Sequence, residues 1–65
     1  MKTGQPLRST TIAYAAYDDE TQALEIEFTN GRSYTHDNVP QQVYDALIAA
    51  NSPGSYYNAQ IRDRY

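Results

Sequence analysis

Cysteine is absent from these 65 residues and histidine occurs once, so neither a disulfide framework nor a zinc site built from thiolates and imidazoles is available to staple the fold. Tryptophan is also missing. No stretch approaches the roughly 20 consecutive apolar residues that span a bilayer, and Met1-Lys2 is followed by polar Thr3-Gly4-Gln5 instead of a secretory apolar segment. A cytoplasmic protein is the expectation, with no membrane contact. Positive charge is scarce as well: five basic residues face eight acidic ones, a net charge of −3. That balance excludes nucleic-acid binding spread over the whole surface and leaves room only for a local basic patch. Missing too are a nucleophile–base arrangement, a Gly-rich phosphate loop and the spaced acidic ligands of a calcium loop, so neither an enzyme nor a cofactor-binding protein is expected.

Aromatic side chains fill the gap left by the missing staples. Seven tyrosines and one phenylalanine bury much area for few rotatable bonds, so a chain this short must hold itself together by a core built largely on tyrosine. The first eight residues, polar and interrupted by Gly4 and Pro6, read as a flexible N-terminal tail. Residues 9–65 read as a single domain.

Strand signals come first. Thr10 to Tyr17 is rich in Thr, Ile and Tyr, and either Ile12/Tyr14/Ala16 or Ala13/Ala15/Tyr17 is apolar enough to face inward. Asp18-Asp19-Glu20 opens a polar turn better read as solvated than as a cation site. Leu24-Glu25-Ile26-Glu27-Phe28 then alternates without fault, and Ser33-Tyr34-Thr35-His36 returns after Asn30-Gly31. A two-residue loop would set Tyr34 opposite Glu27. A three-residue loop with Gly31 in the left-handed region pairs Ile26 with Tyr34 and Leu24 with His36, and this register alone separates an apolar face from a polar one.

Helical signals follow. Pro40 suits a first helical position, with Val43, Ala46, Leu47 and Ala50 facing the sheet. Ser52 is a candidate N-cap before Pro53, and Tyr57 and Ile61 stack one turn apart. The expected fold is α+β: a three-stranded antiparallel β-meander followed by two short helices packed on one face.

The order Tyr17-Asp18, Leu24-x-Ile26-x-Phe28, Gly31, Tyr34, Val39-Pro40, Val43-Tyr44, Ala50-x-Ser52-x-Gly54-x-Tyr56-Tyr57-Asn58, Ile61-Arg62 and Tyr65 resembles the KTSC domain family. That family takes its name from the C-terminus of certain lysyl-tRNA synthetases and occurs mostly as small stand-alone bacterial or phage proteins. The resemblance spans residues 9–65 and implies an RNA-binding role without catalysis. Where the family usually has Tyr-x-Tyr on the third strand, this chain has Tyr34-Thr35-His36.

Two kinds of partner fit the residues. Arg8 and Arg32 fall at the same end of the meander, opposite Asp18, Asp19, Glu20 and Asp37, and a return of Arg62 and Arg64 to that end would gather four guanidiniums for phosphate. Tyr56 is the tyrosine least committed to packing and the candidate for base stacking. The alternative is a protein-interaction or self-associating module acting through a strand edge or the acidic outer face. His36 reads as a satisfied, partly buried histidine.

Overall fold

The computed structural model describes residues 1–65 and contains six elements in chain order: β1 (Lys2–Pro6), β2 (Ile12–Asp18), β3 (Ala23–Phe28), β4 (Ser33–His36), α1 (Gln41–Ala49) and α2 (Pro53–Gln60). The strands form one antiparallel sheet in the order β1-β2-β3-β4, and both helices lie on one of its faces. No helix is long and apolar enough to cross a membrane.

The central hairpin follows the alternation of its residues. Leu24 and Ile26 are fully buried while Glu25 and Glu27 are exposed. Ile26 pairs with Tyr34 and Leu24 with His36, the register of the three-residue loop. Gly31 closes that loop at φ +90°, a conformation that glycine adopts without the steric cost of a Cβ. Its N–H donates to the Phe28 carbonyl at 3.0 Å, and the Phe28 N–H donates to the Arg32 carbonyl at 2.7 Å.

Three strands were expected and four are present. Residues 2–6, read as part of a loose tail, pair along β2 from Lys2 opposite Asp18 to Pro6 opposite Tyr14. Every side chain of β1 is exposed, so this edge strand is held by its backbone ladder and leaves no apolar pattern in the sequence. Gly4 and Pro6, which argued against a strand, are compatible with an edge. A Cβ at Gly4 would stand 2.6 Å from the Tyr14 hydroxyl and 3.0 Å from the Ala16 Cβ, because the Tyr14 ring lies across the glycine on the outer face. An aromatic covering a glycine from the neighbouring strand compensates for the side chain that the glycine lacks.

The two candidate faces of β2 are both partly right. A bulge between Ile12 and Tyr14 shifts the register, so Ile12 pairs with Phe28 whereas Ala15 and Tyr17 pair with Ile26 and Leu24. The inward set is therefore Ile12, Ala15 and Tyr17, all buried, and Tyr14 is turned outward. One extra residue in the strand moves everything beyond it to the opposite face.

In α1 the buried residues are Tyr44 and Leu47, with Val43 and Ile48 partly buried against them. Pro40 occupies the N-cap with extended backbone and precedes the helix. The expected stripe of Val43, Ala46, Leu47 and Ala50 is thus rotated toward Tyr44, whose ring stacks on Tyr17 at 5.4 Å between centroids and 15° between planes. The Tyr17 hydroxyl donates to the Val39 carbonyl at 2.6 Å, and the Val39 N–H donates to the Gln22 carbonyl at 2.9 Å. Both backbone polar groups of this fully buried residue are satisfied, which pins the entrance of α1 to β2 and to the β2–β3 turn.

Ser52 stands at the N-cap of α2 but gives no hydroxyl to the backbone; it donates to the Ser55 hydroxyl at 3.0 Å. Gly54 is buried, and a Cβ there would lie 3.0 Å from the Thr11 Cβ. The helix can approach the sheet this closely because position 54 has no side chain. Tyr57 and Ile61 then enter the core one turn apart, as their spacing predicts.

Burial holds the phenol pKa values of Tyr17, Tyr44 and Tyr57 above the ordinary range. The folded state therefore keeps these protons to higher pH than the unfolded chain does. Their contribution to stability is complete below the ordinary phenol pKa of about 10 and is lost as pH rises through it. The urea unfolding midpoint is predicted to hold from neutrality to about pH 9 and to fall above about pH 10, with the tyrosinate absorbance of the three buried rings appearing only on unfolding. A midpoint that stays level through that alkaline range would contradict a tyrosine-built core.

A candidate nucleic-acid interface between β4 and α2

Period-two alternation along the chain from Arg32 puts Arg32, Tyr34 and His36 on the helix-covered side of the sheet. β4 is an edge strand, however, and the helices do not reach across it fully. Tyr34 has the expected pairing and face, yet it remains 50% exposed. The correction concerns burial alone: facing the helices buries a residue only where a helix lies over it.

Between this edge and α2 opens a cavity of about 420 Å³. Its floor is a chain of rings in edge-to-face contact. Tyr34 meets Phe28 at 5.5 Å, Phe28 meets Tyr57 at 5.3 Å, and Tyr57 meets His36 at 5.5 Å. Such contacts bring the positive edge of one ring to the negative face of the next and hold each plane in place.

His36 is half-buried and satisfied at both nitrogens. Nδ1 lies 3.2 Å from the backbone oxygen of Tyr65, which can only accept, so this nitrogen carries the proton. Nε2 is hydrogen-bonded to the Tyr57 hydroxyl at 2.8 Å, accepting from it when the imidazole is neutral. An imidazole used in this way is a structural link between β4 and α2.

Arg32, Arg62, Asn30 and Asn58 supply the rim. Asn30 Oδ1 accepts the Arg32 N–H at 3.0 Å, which fixes the turn that delivers this arginine. The Tyr57 carbonyl accepts the N–H groups of both Ile61 and Arg62, at 3.0 and 2.9 Å, and so turns the chain at the end of α2 and brings Arg62 to the cavity. No acidic side chain lines the site, and neither arginine forms an ion pair. The ion pairs of the chain join the terminal ammonium to Asp19 and Glu20, and Lys2 to Glu25. The Arg62 charge also favours ionisation of the Tyr57 phenol, although burial outweighs it. In a chain of net charge −3 this cavity is a local positive site.

Of the residues singled out from the sequence, Arg32 and Arg62 come together here. Arg8 lies in the β1–β2 connection, separated from β4 by two intervening strands, and does not line the cavity. Arg64 follows α2 exposed and outside it. Tyr56 is half-buried and packs against the hydrophobic core, and the exposed ring at the cavity is Tyr34. Sequence reasoning missed Tyr34 and Tyr57 as site residues because both satisfy a core pattern. The signal that could have found Tyr34 is its place two residues from Arg32 on a terminal, edge strand.

Residues 8–65 match the KTSC domain. The chain belongs to the KTSC domain family. This KTSC domain is 39% identical over 61 residues to a protein of Tsukamurella paurometabola, covering 94% of this chain and 91% of that one. A second relative, from Stutzerimonas stutzeri, is 36% identical over 59 residues, covering 91% and 83%. A lysine–tRNA ligase of Nostoc punctiforme is 35% identical over 54 residues, 83% of this chain but 10% of the ligase. The crystal structure of a KTSC domain protein from Yersinia pestis superposes with a TM-score of 0.92 at 26% identity, covering 98% of this chain and 90% of that one.

The Asn30-Gly31-Arg32 turn of this KTSC domain depends on Gly31. Nothing lies within 4 Å of a Cβ built there, so substitution meets no neighbour and its cost is one of backbone conformation alone. Gly31→Val should lower the unfolding free energy by about 1–2 kcal/mol or somewhat more, and Gly31→Asn by less, since asparagine visits positive φ more readily. Chemical denaturation of the two variants checks the order; equal stabilities would show that the turn does not need its left-handed residue.

Proposed function

We propose that this KTSC domain is a non-enzymatic module that binds single-stranded RNA through the cavity between β4 and α2. The observation that carries the reading is the composition of the site: two arginines without ion-pair partners beside a chain of aromatic rings, with no acidic side chain, on an otherwise acidic protein. Guanidinium groups take phosphate oxygens in bidentate fashion, and exposed rings take base faces. The likeness to part of a lysine–tRNA ligase, an enzyme named for a tRNA substrate, supports the same direction.

A protein-interaction role rests on the uncovered outer face of the sheet and the free edges of β1 and β4. Glu25 on that face is already paired with Lys2 Nζ at 2.8 Å, and β1 is short, polar and interrupted by Gly4 and Pro6, features that discourage strand addition. RNA binding therefore ranks first.

Two arginines engage one phosphate jointly or one each, so the log–log dependence of affinity on salt should have a shallow slope between roughly −0.7 and −1.4, at about 0.7 per contact for single strands. Replacing Arg32 and Arg62 together with Ala should abolish binding of a labelled single-stranded RNA without moving the unfolding midpoint, whereas Glu25→Ala should leave it intact or slightly tighter. Fluorescence anisotropy at low salt is the test. Absence of saturable binding at about 100 µM protein, the weak end of non-specific affinities, would transfer first place to the protein partner.

A further inference from the structure

Building on the RNA-binding reading, we infer that the recognised unit is a single unstacked nucleotide: its base lies on the exposed side of Tyr34 while Arg32 and Arg62 hold its phosphate. The cavity contains the three chemistries that a nucleotide presents. Two guanidiniums answer the phosphate, a half-exposed ring answers the base face, and the side-chain amides of Asn30 and Asn58 answer the base edge.

The roles of the rings follow from what each already touches. Tyr57 is 5% exposed and its hydroxyl is engaged by His36, so it forms a wall. Phe28 is wedged between Tyr34 and Tyr57. Tyr34 alone has a large exposed surface, and its contact with Phe28 holds its plane before any ligand arrives, which reduces the ordering cost of stacking. Asn30 spends its oxygen on the Arg32 N–H and keeps its NH2 group as a donor.

Size points the same way. The open cavity of about 420 Å³ has room for one small ligand. A-form duplex keeps its bases paired and stacked and offers proteins mainly backbone and 2′-hydroxyl contacts across a broad groove, so it cannot present a base face to Tyr34. One domain thus engages one nucleotide of a loop or strand.

The test is NMR titration of the full chain with adenosine and uridine 5′-monophosphates, ribose 5-phosphate and inorganic phosphate, each to about 10 mM, together with a short single-stranded RNA and its duplex. The expected result is that both nucleotides shift the amides of Arg32, Tyr34 and Arg62, with ribose 5-phosphate at least about tenfold weaker because the stack is missing. Tyr34→Ala should weaken nucleotide binding by at least about tenfold and leave inorganic phosphate unaffected, while Tyr34→Phe retains nucleotide binding. Should the alanine variant unfold, Tyr34→Leu serves the same comparison. Ribose 5-phosphate binding as tightly as the nucleotides, or duplex competing as well as single strand, would overturn the inference. Single-stranded RNA that binds through Arg32 and Arg62 while mononucleotides shift nothing would overturn it and leave the RNA-binding reading standing. No shift with any ligand would end both.

Discussion

Tyr57 is the residue through which core and site are joined. Its ring sits against Phe28 from β3 and His36 from β4, and its hydroxyl is hydrogen-bonded to His36 Nε2. Its carbonyl turns the chain so that Arg62 returns to the cavity. A ring that is buried and yet hydrogen-bonded at its polar tip seats a helix on a sheet in one orientation, since sliding would break either the packing or the bond. In a domain without disulfide or metal staple, this contact anchors α2 over the β3–β4 edge.

The other helix is anchored by an analogous device at the opposite end. Tyr17 donates to the carbonyl of Val39, and Tyr44 stacks on Tyr17. Each helix is thus coupled to the sheet through buried tyrosine rings and a tyrosine hydroxyl together: Tyr17 and Tyr44 for α1, Tyr57 for α2. Apolar rings of the same volume would supply the area but would leave the Val39 carbonyl buried without a donor, at about 1–3 kcal/mol, a large share of the stability of so small a domain. The sheet's acidic residues stay outside this framework, on the outer face and in the turns, and the cavity can be positive because none of them points into it.

Legibility followed the strength of the local pattern. The β3–β4 register could be read because only one loop length separates Leu24, Ile26 and Phe28 from Glu25 and Glu27, and the pairing of Ile26 with Tyr34 follows from it. β1 could not be read: an edge strand needs only its backbone, and Lys2 to Pro6 carry no apolar alternation. The bulge in β2 was hidden because Ala13, Ala15 and Ala16 fit either face, so composition does not mark where the register shifts. At the site, the convergence of Arg32 and Arg62 was anticipated as one outcome of the topology, while the placement of Arg8 and Arg64 depended on distances across the sheet that no one-dimensional pattern carries. Tyr34 is more exposed and Tyr56 more buried than expected, because inward spacing says which face a side chain takes, whereas coverage depends on how far the helices extend.

The two exposed tyrosines of the sheet, Tyr14 at 39% and Tyr34 at 50%, take opposite faces in the strand register, and the proposed RNA site lies on the helix side at Tyr34 and not on the outer surface at Tyr14. Photo-crosslinking of a single-stranded RNA carrying a photoreactive uridine, followed by mass-spectrometric mapping of the attached residue, distinguishes them directly. Attachment at Tyr34 or at its cavity neighbours His36 and Asn58 is the predicted result, and attachment at Tyr14 or along β1 would contradict the placement of the site between β4 and α2.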